Sequence, residues 1–419
     1  MPGPVEAWRQ SYREASKLVK GNVEVLTGFN ANIDVIHRNF NTPDEEPELY
    51  ENVESREQLL RTLRYCLENS ENREVECSGV ELEGEMEKVG GQAAIFSNFI
   101  AGTGNTVIFY TPFLSRELAE EMDEKILFPV EEKGEFYLKN VQDAVNSDKT
   151  KKNHIFEFNS GDRSGRLILS GSIKGFGPYF ESSVESNMAL IESNIDCCIL
   201  SGFHDADGNA EAKLEKSARQ LSEIEPPIHI EYVHDEDTAA KIIEDVVPGA
   251  ESLGIDETEL AEILDLMGED GKKPFNFGEA FSALTTLIEQ LGVSRIHLHT
   301  YRYHLCVARE DYTTEVSRIR DSMLFGELAA IQLSENGEIP GKKGIEDFEP
   351  DYSMNGIESM RNFGEYHGLE DFQSKGIAKI DGFKLAGIPT LINEDPERTV
   401  GMGDIISSGA FSSEFKSFD

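Results

Sequence analysis

Near the carboxyl end, Thr399-Val400-Gly401-Met402-Gly403-Asp404 runs into Ile405-Ile406-Ser407-Ser408-Gly409-Ala410-Phe411. Apolar spacing predicts a helix from Asp404 onward, and Pro389-Thr390-Leu391-Ile392-Asn393 reads as a short strand before it. Gly401 and Gly403 therefore fall in the loop that opens a helix. Lacking Cβ atoms, they let successive N–H groups turn to one point, where the helix's unpaired N–H groups and dipole add positive potential. Such a point holds an anion. A carboxylate at Asp404 has two readings there, a helix cap or a member of the anion site.

Other polar groups stand where a strand would deliver them to a ligand. The apolar run beginning at Val23 ends in Gly28-Phe29-Asn30-Ala31-Asn32-Ile33-Asp34. Polar residues at the carboxyl end of a strand in an open parallel sheet face the ligand crevice, so Asn32 and Asp34 either bind the hydroxyls of a small polar molecule or close an Asx turn. Gly90-Gly91-Gln92-Ala93-Ala94 opens a second helix, where paired glycines permit close backbone approach to a ligand or tight packing. Lys149, Lys151 and Lys152 fall within four positions of a lysine-poor chain, ahead of His154, and Arg163 and Arg166 follow a Gly-Asp pair at 161–162. The pattern predicts a hairpin carrying basic residues, either a solvated turn or an anion-binding edge.

The elements that position these groups follow from periodicity. Strands are expected at 106–110, 155–158, 167–169, 195–200, 228–232, 295–299 and 389–392, with shorter ones near Val75 and Val80. Helices are expected in the first twenty residues, at 56–67 and at 95–101. Strand and helix alternate regularly from about residue 190, as in a doubly wound α/β sheet, and nothing in 335–355 demands regular structure. A chain of 419 residues is long for one domain, so a large α/β domain with a smaller one is expected.

Asp and Glu number 79 against 39 Lys and Arg, a formal net charge of −40. So acidic a surface repels nucleic acid and anionic membrane, and no apolar run approaches the ~20 residues needed to span a bilayer. Five cysteines without a C-x-x-C pair, and an N-terminus without signal-peptide architecture, predict a soluble protein of a reducing cytoplasm. Repulsion between surface carboxylates reaches roughly 10 Å at 0.1 M salt but about 3 Å at 1 M, so a salt-rich cytosol is the natural setting. Melting temperature is expected to rise with KCl, mostly at modest ionic strength and similarly in sodium sulfate. A continuing rise, much steeper in sulfate, would instead indicate strengthened apolar burial.

Six stretches, in order, carry a resemblance. They are Gly28 to Asp34, Gly90 to Ala93, His154-Ile155-Phe156-Glu157-Phe158, His229-Ile230-Glu231, Ser252-Leu253-Gly254-Ile255-Asp256-Glu257-Thr258-Glu259, and Thr399 to Asp404. Together the chain resembles the ADP-dependent sugar kinases, archaeal-type glucokinases and phosphofructokinases of ribokinase-like fold. The resemblance implies a ribokinase-like doubly wound core of residues 1–32, 91–150 and 190–419. It also implies a smaller α/β lid from 33–90 and 151–189, with the sugar bound between the two.

In this family the aspartate of Gly-x-Gly-Asp deprotonates the accepting hydroxyl and the glycine amides stabilise the moving phosphoryl group, roles that would fall to Asp404 and to Gly401, Met402 and Gly403. Thr399, Val400, Arg163 and Arg166 would contact nucleotide or phosphate. Glu231 and Glu259 match acids that organise magnesium or another divalent cation. Asp256 stands where the family's Asn-x-x-Glu motif has asparagine, an extra carboxylate that would change metal affinity. Sugar hydroxyls would meet Asn32, Asp34, Gly91, Gln92 and His154, and the Lys151 and Lys152 charges favour a phosphorylated acceptor. The expected reaction is phosphorylation of fructose 6-phosphate by ADP with AMP released; a glucokinase, a dual-specificity enzyme and a non-catalytic sugar- or nucleotide-binding protein are the alternatives.

Overall fold

The computed structural model describes residues 3–37, 44–78, 80, 82, 84–160, 163–273, 275–346 and 351–418. Its larger sheet orders eleven strands as Ile377–Ile380, Phe383–Pro389, Tyr303–Arg309, Arg295–His299, Ser252–Asp256, Ile228–Glu231, Cys197–Ser201, Glu24–Phe29, Thr106–Tyr110, Leu127–Glu132 and Glu135–Asn140. From Arg295–His299 through Leu127–Glu132 neighbours are parallel, and the strands beyond this run at either edge are antiparallel. A parallel sheet must be covered on both faces, and Cys197–Ser201 is accordingly buried throughout, which places Cys197 and Cys198 as packed thiols. All five cysteines are free.

The strands expected at 106–110 and 295–299 form with those bounds. The strand expected at 389–392 does not form as one piece. Pro389 closes Phe383–Pro389, while Leu391–Ile392 pairs with Asp351–Tyr352 in a separate two-stranded sheet. That pairing, with helix Lys342–Glu346, orders part of the stretch expected to be irregular. Val80 lies in no strand; its neighbours at 79 and 81, and the Gly161-Asp162 turn, lie outside the described residues.

The smaller sheet orders Asn52–Val53, Asn72–Cys77, Arg163–Ser170, Lys152–Ser160, Asn32–His37 and Met86–Gly90. The expected hairpin is real, with Lys152–Ser160 antiparallel to Arg163–Ser170. Helix Arg56–Asn69 lays Leu59, Leu63 and Leu67 against Val75, Phe156 and Leu167, a core of its own. Phe176, Phe180 and Val184, placed in the lid by the sequence reading, belong to the larger core, where Phe180 packs against the rings of Phe29 and Tyr110.

Two short crossings tie the sheets together. Asn30 and Ala31 carry the chain from the carboxyl end of Glu24–Phe29 straight into Asn32–His37, and Gly91 returns it from Met86–Gly90 into helix Gln92–Gly102. The smaller sheet therefore stands over the carboxyl edge of the parallel strands, where an open α/β sheet binds its ligands.

Candidate active site

Helix Met402–Glu414 begins two residues earlier than the periodicity predicts, because Gly401 takes φ +88° at its N-cap. Asp404 is thus inside the first turn, and no side chain caps the helix. The capping reading of Asp404 gives way to another placement: its half-buried carboxyl is hydrogen-bonded by Gln92. Burial pushes that carboxyl up to about 6, against the Gln92 bond and the charges of Arg398 and Arg166. A Cβ on Gly403 would lie 2.9 Å from His299 Nε2, so glycine is what lets the helix start approach the end of Arg295–His299.

Opposite Asp404, Asn32 Nδ2 donates to Asp34 Oδ1 at 2.7 Å. Asp34 is pushed up to about 7 by burial, although Arg398 and Asn32 oppose the shift; the Asp404 charge adds to it. Gly90 makes the room, since a Cβ there would stand 2.1 Å from Asp34 Oδ1, and Gly91 turns the chain at φ +76°. Asn30 Nδ2 lies 3.5 Å from Gln92 Oε1, and Asn30 Oδ1 accepts from Ala93 N at 3.2 Å and from Ser201 Oγ at 2.8 Å. Asn30 thus satisfies an orphan N–H of helix Gln92–Gly102 while orienting Gln92.

Arg398 went unremarked in the sequence, one position ahead of the motif. It is buried, donates from Nε to Val400 O at 3.0 Å, and brings Nη2 to 3.8 Å from Asp34 Oδ2, so it stands between two carboxyls that would otherwise repel. Arg166 reaches across from the smaller sheet, where Nη1 donates to Thr399 Oγ1 at 3.4 Å; Thr399 Oγ1 donates to Glu157 Oε1 at 3.3 Å. Asp34, Ile36, Ile155, Glu157, Arg398 and Val400 line one crevice. Arg163 begins Arg163–Ser170.

Two expected residues, His154 and Lys152, are turned away from this crevice, and a third, Lys151, reaches its edge already paired. Asp34 and Asn153 are register partners, as are Val35 and His154, so strand alternation turns His154 to the face opposite Asp34. There its Nδ1 lies 3.0 Å from His37 Nε2, and burial lowers the ring to about 4. Lys152, on that same face, pairs with Glu87 at 2.9 Å and with Glu117. Lys151 stands at the carboxyl edge but is already paired to Asp205 Oδ1 at 2.7 Å.

A second acidic group closes the edge of the sheet. Glu231 ends Ile228–Glu231, and its carboxyl is held well above the usual range by burial, with the Asp404 and Asp256 charges adding to the shift. Glu259 is likewise raised by burial, then by Asp256. Asp256 has a structural task, since Oδ1 accepts from Thr258 N at 2.7 Å and from Glu259 N at 2.8 Å, while Glu259 Oε2 accepts from Asp256 N at 2.8 Å. This is a capping box on helix Glu257–Leu266, which aspartate and asparagine serve about equally. Among the described residues no three His, Cys, Asp or Glu side chains close on a point as metal ligands. Two carboxylates on an acidic edge still suit a hard cation that keeps its waters and shares substrate phosphates.

A covered parallel sheet, a second sheet over its carboxyl edge, and a glycine-opened helix facing buried carboxyls define an α/β protein of ribokinase-like fold. The conserved region of ADP-specific phosphofructokinases/glucokinases matches residues 23–413, and the chain belongs to that family. It is 30% identical to the ADP-specific phosphofructokinase of Pyrococcus horikoshii over 78% of each chain, and 28% identical to the ADP-dependent glucose/glucosamine kinase of Pyrococcus furiosus over 99% of each. The solved complex of an ADP-dependent kinase with fructose-6-phosphate and ADPbetaS superposes with a TM-score of 0.86 at 27% identity, covering 99% of both chains. Among the described residues no helix is long and apolar enough to cross a membrane.

Proposed function

We propose that this chain transfers the β-phosphoryl group of ADP to fructose 6-phosphate, giving fructose 1,6-bisphosphate and AMP, in a salt-rich, reducing cytoplasm. The observation that carries the reading is Asp404 inside the first turn of the Gly401-capped helix, across from Asn32 and Asp34. The acceptor hydroxyl gives its proton to Asp404 as its oxygen bonds the β-phosphorus, and the bond from that phosphorus to the AMP oxygen breaks. Gly401, Met402 and Gly403, at the helix start, turn N–H groups to the moving charge; Arg166, Thr399 and Val400 border the phosphates, with Arg163 on the same strand as Arg166. Asn32, Asp34, Gly91 and Gln92 hold the sugar. Magnesium or another divalent cation, organised through water by Glu231 and Glu259, would supply further charge neutralisation. The smaller sheet and its own core serve as the lid.

Fructose 6-phosphate is supported by the phosphofructokinases among the relatives and by the ligand of the superposed complex. Glucose is the second reading, favoured by the prior engagement of both lysines and by the near full-length glucose/glucosamine kinase match. AMP formation from ADP, assayed with each sugar, decides between them; no AMP with either would overturn the kinase reading in favour of a binding protein. The geometry also separates the lysines. Lys151→Gln is expected to raise KM for fructose 6-phosphate roughly 10-fold or more while sparing glucose, whereas Lys152→Gln, on the far face, alters neither. Equal effects of Lys151→Gln on both sugars would deny it a role with phosphate.

A further inference from the structure

Beneath Glu231 lies a buried polar chain that the proposed chemistry does not use. Arg295, with its side chain fully buried, donates from Nη1 to Ser252 Oγ at 2.7 Å, and Ser252 Oγ lies 2.8 Å from His229 Nδ1. On the other side of the ring, His229 Nε2 lies 2.9 Å from Ser407 Oγ and 3.3 Å from Glu231 Oε2. Arginine can only donate, so its bond occupies a lone pair of Ser252 and leaves the serine its own proton to place. Among the described residues His229 Nδ1 is the hydrogen-bond partner available to that proton. Nδ1 is therefore an acceptor and the ring proton sits on Nε2, aimed at Glu231 and Ser407.

The plane of the ring is set separately. Phe411 stacks on His229 with centroids 4.9 Å apart and planes 23° from parallel. The floor of the arrangement is Gly254, where a Cβ would stand 2.0 Å from Glu231 Oε2, 2.4 Å from Ser407 Oγ and 2.8 Å from His229 Nε2. Glu231 Oε2 is thus met by His229 Nε2 on one side and by the Gly254 floor on another, and its carboxyl is also hydrogen-bonded by Ser407.

We propose that Arg295 and Ser252 are positioning residues that lock His229 as the Nε2–H tautomer and so aim Glu231 at the reaction site. This rests on the reading that Glu231 serves phosphoryl transfer, but the tautomer can be read without turnover. Long-range 1H–15N spectra of protein labelled at histidine, with the His229 signals identified by their loss in His229→Gln, are expected to show His229 protonated on Nε2 alone. In Ser252→Ala the lock is lost, so the signals should move toward a tautomer mixture. The kcat should fall roughly 10- to 100-fold with the sugar KM unchanged, as when partners behind a site's carboxylates and histidines are removed. Ser252→Thr, which keeps the hydroxyl, should restore both. An Nδ1–H ring in the parent protein overturns the proposal even if no variant folds, as does a Ser252→Ala protein with the parent's tautomer. Failure of the parent to form AMP would instead defeat the functional reading and leave the spectra interpretable.

Discussion

Asp404→Asn is expected to lower kcat by ~10²- to 10⁴-fold without loss of the fold, the range over which a positioned general base acts. Asparagine is nearly isosteric, and the helix start it occupies is made by Gly401 rather than by the Asp404 side chain, so no cap is lost. The pH dependence gives a second signature. With the Asp404 carboxyl pushed up to about 6 and Asp34 up to about 7, kcat/KM of the parent should level off only above about 7 and fall as pH drops, and the limb near 6 is the one that Asp404→Asn removes. Stability moves the other way. A carboxyl whose pKa is raised by folding contributes stability that is fully present below its unfolded value, about 3.9, and lost as pH rises through about 6. Asp404→Asn should therefore melt above the parent at pH 8, with the gap closing toward pH 4. Near-parent turnover in the variant would remove Asp404 from the chemistry; a variant that melts lower at pH 8 would show the carboxylate to be structural.

Glu414→Ala is expected to cost about 3–5 kcal/mol of stability, the usual consequence of leaving a buried charge without its partner. Glu414 Oε1 lies 2.9 Å from Arg295 Nε with both side chains fully buried, and Tyr312 donates its hydroxyl to Glu414 Oε2 at 2.8 Å. Removing the carboxylate orphans a guanidinium and a phenol at once. Urea denaturation at fixed KCl measures the loss without changing ionic strength. The pair itself is a weaker source of stability than this loss suggests, since desolvating both ions offsets most of their attraction. Arg295→Met combined with Glu414→Leu should thus recover the part of the deficit owed to the guanidinium, while the Tyr312 hydroxyl stays without its acceptor. A single variant that loses less than about 1 kcal/mol would mean that water reaches the guanidinium.

Much of the architecture was legible because its causes are local. Continuous apolar runs bounded by turn residues mark Thr106–Tyr110 and Arg295–His299 wherever they come to lie in the sheet. The glycines of 401–403 and 90–91 announced two helix starts, since few other residues allow the backbone conformations needed there. Glycine's permissiveness also explains the error at Asp404. A residue compatible with almost any φ does not reveal which one it adopts, and the left-handed turn at Gly401 moved the helix start back by two.

By itself, then, the sequence determined the α/β class, the central apolar strands such as Thr106–Tyr110 and Arg295–His299, the acidic balance, and two glycine-opened helix starts. Each depends on neighbours within a few positions or on composition alone. Tertiary structure decided which side chains share the crevice. His154 and Asp34 belong to strands whose register could have been off by one residue, and the observed partnership of Val35 with His154 sends the histidine to the far face. Lys151 and Lys152 are neutralised by Asp205, Glu87 and Glu117, all at least 35 positions away in the chain. Arg398 is drawn into the interior by Asp34, 364 residues earlier in the sequence, through a charge attraction that only the packing of the two sheets brings within range.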